Sequence, residues 1–178
     1  MSINSKIKSL AKKIKLIAMD VDGVLTGGEI ILLDSKRELK IWNVKDGFGF
    51  HLAQLSGDGI QFAWITAGES EQVKIRSEML KIDVVYQGSF RKKEAIIEIT
   101  NNLKIKPEET LFIGDDLLDI PVFRYVGFSI CPQDAPEEVK REVDYISKIP
   151  GGKGVVREVV EIVLKARGLW EKATEQYL

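Results

Sequence analysis

Short apolar runs recur along the chain, IKLIAMDV, IQFAWIT, VVYQ, TLFIG, GFSIC and DYI, several of them β-branched or aromatic, and helical periods lie between most of them. That alternation predicts an α/β fold with a doubly wound, Rossmann-like parallel sheet. The helical stretches are FGFHLAQL, SEQVKIRSEMLK with Val73, Arg76 and Leu80 in register, KKEAIIEITNNL, LDIPVFRYV and GKGVVREVVEIVLKARG. Pro121 falls near the start of its helix, where its missing N–H costs little. One insertion breaks the alternation: EIILL and ELKIWNV flank DSKR directly after the first strand, which predicts a β-hairpin over that strand's C-terminal end. There is no internal repeat, low-complexity segment or linker, and GGKG at 151–154 reads as a local turn. A single domain over 1–178 is expected, with a hairpin flap at 29–44 and a C-terminal tail at 168–178.

Composition narrows the function classes. Lys plus Arg is 26, Asp plus Glu is 27 and the formal net charge is −1, so there is no electrostatic case for nucleic acid as a partner. Cys131 is the only cysteine and cannot form an internal disulfide; no apolar run is long enough to span a bilayer and no secretory core is seen, so a cytoplasmic location is expected. KIKSLAKKIK sets Ile7, Leu10, Ala11 and Ile14 on one stripe among lysines, and we read it as a lead-in helix packing on its own domain rather than a membrane-surface helix. His51 reads as a packed or surface helix residue and Trp64 as core; Trp42 on the hairpin and Trp170 in the tail are less easily placed.

In an open parallel α/β sheet, ligands bind beyond the carboxyl ends of the strands, where strand order reverses. Strand one ends in Asp20, Val21, Asp22, Gly23; strand two ends at Thr66; strand three is followed by Ser89, Arg91, Lys92 and Lys93; strand four ends in Gly114, Asp115, Asp116, with Asp119 beyond. With strand one central, strands two and three on one side and strand four on the other, Asp20 and Asp115 face each other. Two carboxylates so placed raise each other's pKa unless a cation lies between them, and hard oxygen ligands suit Mg²⁺. Asp20 is then a candidate nucleophile forming an aspartyl-phosphate, Asp22 an acid/base, and Thr66 and Lys92 a clamp on phosphoryl oxygens. Each element alone is weak, since Asp-x-Asp-Gly is often only a turn. The signal is all four, in order, at consecutive strand ends.

DVDGVLT, IT with Thr66, Lys92 and IGDDLLD together resemble the four motifs of the haloacid dehalogenase superfamily. GEIILLDSKRELKIWNVKDGFGF, VVYQG, LFIGDDLLDIPVFRYVG and GGKGVVREVVEIVL extend the resemblance to its small cap-less branch, which includes the 3-deoxy-D-manno-octulosonate 8-phosphate (KDO 8-phosphate) phosphatases and nonulosonate 9-phosphate phosphatases. The resemblance implies Asp20 as nucleophile, Asp22 as acid/base, and Mg²⁺ held by the Asp20 side chain, the Asp22 main-chain carbonyl and Asp115. It also implies Thr66, Arg76, Lys92 and Arg157 as substrate-binding residues, and a place in lipopolysaccharide precursor synthesis. Where family members commonly read ITG followed by Arg or Glu, this chain reads ITAGES, so Ala67 and Gly68 stand where others help to recognise the sugar acid.

Two other classes share some features. A phospho-accepting receiver also has acidic residues, a Thr and a Lys at strand ends, but its acceptor Asp stands alone at strand three, where this chain carries Lys92. A non-catalytic scaffold would not need Asp20, Asp22, Lys92 and Asp115 intact. The intervals from Asp22 to Thr66 and from Thr66 to Lys92, about forty and twenty-five residues, are too short for a cap of roughly fifty or more. The hairpin's Ile31, Leu33, Ile41 and Trp42 cannot all be buried by a lone hairpin. Together with the resemblance, this leads to an expected homotetramer in which a neighbour's surface and tail complete each site, and to a tail removable without unfolding the domain.

Overall fold

The computed structural model describes residues 4–34 and 37–178. Met1–Ile3 and the Ser35 and Lys36 of the expected DSKR turn lie outside the described residues. The elements run α1 (Ser5–Ala11), β1 (Leu16–Met19), β2 (Ile31–Leu32), β3 (Glu38–Leu39), α2 (Val44–Leu55), β4 (Gln61–Ile65), α3 (Glu71–Leu80), β5 (Val84–Tyr86) and α4 (Lys92–Leu103). They continue with β6 (Thr110–Ile113), α5 (Ile120–Phe123), β7 (Phe128–Cys131), α6 (Glu137–Lys140), β8 (Tyr145–Ile146), α7 (Val155–Arg167) and α8 (Trp170–Thr174).

The main sheet has the order β5-β4-β1-β6-β7-β8, every pairing parallel. Strand order reverses beside β1, which pairs with β4 on one side and β6 on the other, as the apolar runs predict. All four residues of β1 and all four of β6 are buried, because helices cover both faces, and Thr110, the one polar residue among them, donates its hydroxyl to the Lys106 carbonyl. β2 and β3 form a separate antiparallel pair, Ile31 opposite Leu39 and Leu32 opposite Glu38. Among the described residues there is no separate cap domain: hairpin and α2 fill the interval from β1 to β4, and α3 alone fills that from β4 to β5.

One core layer joins β1 to α2 and α7, with Phe50, Trp64, Val159 and Val163; the other lies under α4 and α5, with Ile96, Ile99, Phe112 and Val122. α7 is rich in β-branched valines, which alone would disfavour a helix, yet Val155, Val156, Val159, Val160, Ile162, Val163 and Leu164 are all buried. At roughly 1.5–3 kcal/mol per fully buried aliphatic side chain, burial outweighs a propensity cost of a few tenths each. Ile7 and Ala11 of α1 are buried in the same layer, so its stripe packs on α7. No helix among the described residues is long and apolar enough to cross a membrane.

Three boundaries depart from the sequence-based expectation. α2 starts at Val44 because the Asn43 side chain caps it by accepting from the Lys45 N–H at 2.9 Å, four residues ahead of the expected FGFHLAQL. LDIPVFRYV forms only a 3₁₀ turn and the single turn of α5. The tail is not a free appendage: Trp170 packs against the core and Ala173 is buried within it, so removing 168–178 would strip core contacts. Only residues 175–178 can be trimmed without that loss.

Candidate active site

Because all six strands of the main sheet are parallel, their carboxyl ends open on one edge, and β1 and β6 deliver Asp20 and Asp115 there side by side. Asp20 continues the ladder through its N–H to the Ile113 carbonyl at 2.9 Å, while its Oδ1 accepts from the Val21 N–H at 2.6 Å. Lys92 opens α4, an unfavourable place for a cation with respect to the helix dipole. Its ammonium lies 2.7 Å from Asp20 Oδ2 and 2.7 Å from Asp119 Oδ1, and these pairs hold it there. Asp119 is fully buried, and its second oxygen accepts from the Asp115 and Asp116 N–H groups at 2.9 and 3.2 Å. It therefore ties the GDD turn to the lysine.

Two glycines are forced by the same approach. Gly23 has φ +88°, and a Cβ there would lie 2.0 Å from Asp115 Oδ2. A Cβ at Gly114 would lie 2.4 Å from the Asp119 carboxyl carbon. The Gly of DVDG is thus spaced for the carboxylate of GDD, and the Gly of GDD for Asp119.

Asp20, Asp115 and Asp119 each offer an oxygen within 4.8 Å of the others, with Lys92 as the one cation in direct contact among the described residues. Burial pushes the Asp20 carboxyl up to about 6 against the pull of Lys92. Burial, and then Asp20 and Asp119, push Asp115 up to about 8. Burial acts to lower the Lys92 ammonium, but Asp20 and Asp119 outweigh it and hold it above the usual lysine value. Asp115 Oδ1 is buried without a hydrogen-bond partner among the described residues. A buried, partnerless carboxylate oxygen beside a second carboxylate fits a hard divalent cation, whose charge would offset the repulsion that raises Asp115. The oxygens of Asp20 and Asp119 already have partners, and Asp115 Oδ1 is the buried oxygen of the cluster without one among the described residues.

Asp22 points to the hairpin. Its Oδ1 lies 2.6 Å from the Lys40 ammonium and accepts from the Thr26 hydroxyl at 3.2 Å. Thr66 is buried at the end of β4, its N–H bonded to the Tyr86 carbonyl, and its hydroxyl accepts from the Gly68 N–H. Asp22, Glu38, Lys40, Thr66, Glu69 and Ser70 line a cavity of about 210 Å³ at this edge. A larger cavity of about 720 Å³ lies between α1, β8 and α7, where Lys6 pairs with Asp144, Tyr145 with Glu158 and Lys165 with Glu161. None of the expected site residues lines it.

Of the residues expected from sequence, Asp20, Lys92 and Asp115 come together, and Asp22 and Thr66 share the adjoining cavity. Arg76 and Arg157 do not join them within the chain. Arg157 pairs with Glu161 at 2.8 Å and stacks over Phe48 and Trp170; the Arg76 Nε is buried beside Asp46 and Gly47 without a partner among the described residues. Lys40 and Thr26 were missed: both bind through register and loop shape, with no motif of their own. The turn GGKG is also more than a local device, since the Gly152 N–H donates to the Val24 carbonyl and a Cβ at Gly151 would meet the Gly23 carbonyl oxygen at 2.0 Å.

A family model for haloacid dehalogenase-like hydrolases matches residues 61–159. The chain is 38% identical, over 98% of its length and 92% of the relative's, to 3-deoxy-D-manno-octulosonate 8-phosphate phosphatase KdsC of Escherichia coli (strain K12). The solved phosphatase of that name from Moraxella catarrhalis, in complex with a magnesium ion, a phosphate ion and KDO, superposes with TM-score 0.93 at 37% identity, covering 99% of this chain and 100% of that one. The one from Yersinia pestis gives TM-score 0.91 at 36% identity, covering 95% and 90%.

Proposed function

Because the chain belongs to the haloacid dehalogenase-like hydrolases, we propose that it is a Mg²⁺-dependent phosphomonoesterase hydrolysing KDO 8-phosphate to KDO and phosphate through an aspartyl-phosphate on Asp20. The observation that carries the chemistry is the buried Asp20–Lys92–Asp119 chain of contacts beside Asp115. The substrate rests on the relatives over nearly the whole chain.

In this reading the Asp20 carboxylate attacks phosphorus, the bond from phosphorus to the sugar oxygen breaks, and Asp22 supplies the proton that the leaving oxygen takes. A water then gives its proton to Asp22, attacks the aspartyl-phosphate and regenerates Asp20. Lys92 orients Asp20 through one N–H and keeps a third donor for a phosphoryl oxygen, and the Thr66 hydroxyl contributes another. Mg²⁺, held by the Asp20 side chain, the Asp22 main-chain carbonyl and Asp115, supplies neutralisation of the phosphoryl charge when bound. Phosphate release across KDO 8-phosphate, nonulosonate 9-phosphates and hexose phosphates tests this: preference for KDO 8-phosphate, abolished by a chelator and restored by Mg²⁺, is expected. Equal rates on hexose phosphates would remove the substrate assignment.

The same proposal includes a cytoplasmic homotetramer whose hairpins pair between subunits. The support is exposure: Ile30, Leu32, Leu33, Ile41 and Val44 are all more than half exposed on one chain. Trp42, expected among them, is instead stacked on Trp64 with ring centroids 5.7 Å apart. Arg76, Arg157 and the exposed end of the tail, residues 175–178, would act at a neighbour's site.

A further inference from the structure

Lys40 belongs to no motif, yet among the described residues it is the one hairpin cation set into the site. It follows β3, and its side chain is only 9% exposed on a hairpin whose large apolar side chains mostly face outward. Burying a lysine is costly unless it is paired. Here the ammonium lies 2.6 Å from Asp22 Oδ1, with Glu38 Oε1 at 3.4 Å. Thr26 approaches the same Asp22 oxygen from the loop after β1. Two donors therefore converge on Oδ1, one from the hairpin and one from the strand-end loop. Among the described residues Asp22 Oδ2 carries no such contact and is left for proton exchange.

We propose that Lys40 is a positioning residue for the reaction, fixing the Asp22 carboxylate by its Oδ1 so that Oδ2 exchanges protons with the leaving oxygen and the water. The claim rests on the acid/base role given to Asp22 above and goes beyond it by making the hairpin part of the catalytic geometry. A carboxylate held at one oxygen cannot swing, and misplacement of a proton carrier by about an ångström costs on the order of a hundredfold. Thr26 remains when Lys40 is lost, so a smaller loss is expected.

The test is a double-mutant cycle with p-nitrophenyl phosphate, which does not depend on the sugar assignment. Lys40→Gln should lower kcat about tenfold at little-changed KM, and Lys40→Arg should recover most of it. In an Asp22→Asn background, Lys40→Gln should cost less than about twofold, since the group it positions has already lost its function. Independent, multiplying losses in the double variant would overturn the proposal, as would an effect confined to KM, which would make Lys40 a substrate contact. Circular dichroism and Mg²⁺ affinity equal to wild type exclude hairpin collapse as the cause. If Lys40→Gln does collapse, Lys40→Arg decides: near-normal kcat supports the proposal, and full loss of kcat in a folded Lys40→Arg overturns it. Failure on KDO 8-phosphate with a normal cycle on the aryl ester would remove only the substrate reading.

Discussion

The strand-end cluster and the hairpin standing over it meet at one active edge, and they are held in different ways. Asp20, Lys92 and Asp119 are 7%, 3% and 0% exposed, and each is fixed by two or more contacts to the end of a sheet strand or an adjacent turn. On the hairpin, Ile30, Leu32 and Ile41 are 79%, 72% and 59% exposed, and only two residue pairs join its strands among the described residues. The cluster is therefore rigid within one chain, whereas the hairpin needs a second surface to bury its side chains. Chemistry is assigned to the first and assembly to the second, with Lys40 joining them.

The largest effect should come from the cluster. Asp20→Asn should lower turnover by at least about a thousandfold while leaving the fold intact, because the amide is close in volume but cannot accept the phosphoryl group. Substantial phosphate release from the purified variant would shift the nucleophile elsewhere. Lys92→Met should be nearly as severe in activity and should also cost about 3 kcal/mol in chemical denaturation, since Asp20 and Asp119 would be left buried and unpaired. An unchanged midpoint would mean that the lysine does not offset their burial.

The hairpin should answer in the opposite way. Leu32→Asp should change the unfolding free energy of the single chain by less than about 0.5 kcal/mol, as for an exposed position. It should nevertheless shift the mass seen by light scattering from tetramer towards monomer; a retained tetramer would place the interface away from the hairpin.

The smallest effect sharpens the contrast from a carboxylate outside both regions. Asp46 on α2 accepts from the Arg157 N–H at 3.0 Å, capping α7 across 111 residues of sequence. Burial raises its pKa from 3.8 to about 6, only partly offset by the N–H groups of Arg157, Val156 and Gly154. The folded state thus binds the proton more tightly than the unfolded one, so this contribution is full below about pH 4 and is lost as pH rises through about 6. Asp46→Asn should flatten that part of the stability curve in a denaturation series, and an unaltered slope would assign it to another group.

Much of this was legible because parallel strands write themselves locally. The apolar runs ending in Asp20, Thr66 and Asp115 could only be buried strands with polar residues at one edge, so order and edge followed together. The motif glycines were legible as turn formers, but not as clearances: the 2.0 Å conflict at Gly23 is with a side chain from β6's end, far along the chain. Lys40, Thr26 and Asp46 were hidden for the same reason, since each acts across a tertiary contact that no local period encodes. The 3₁₀ turn before α5 was overread because LDIPVFRYV has helical spacing, while Asp116 Oδ1 and one Asp119 oxygen accept from the turn's own N–H groups.

The central claim is that phosphate passes through Asp20. Rapid acid quench of the wild-type enzyme within its first turnover of KDO 8-phosphate with Mg²⁺, followed by mass spectrometry of the tryptic peptide beginning at Leu16, tests it most directly, because the intermediate forms before water breaks it. The account predicts a phosphate adduct on Asp20 that vanishes in the Asp20→Asn variant and without metal. Release of KDO in the first turnover with no adduct, or an adduct on another carboxylate, would contradict it.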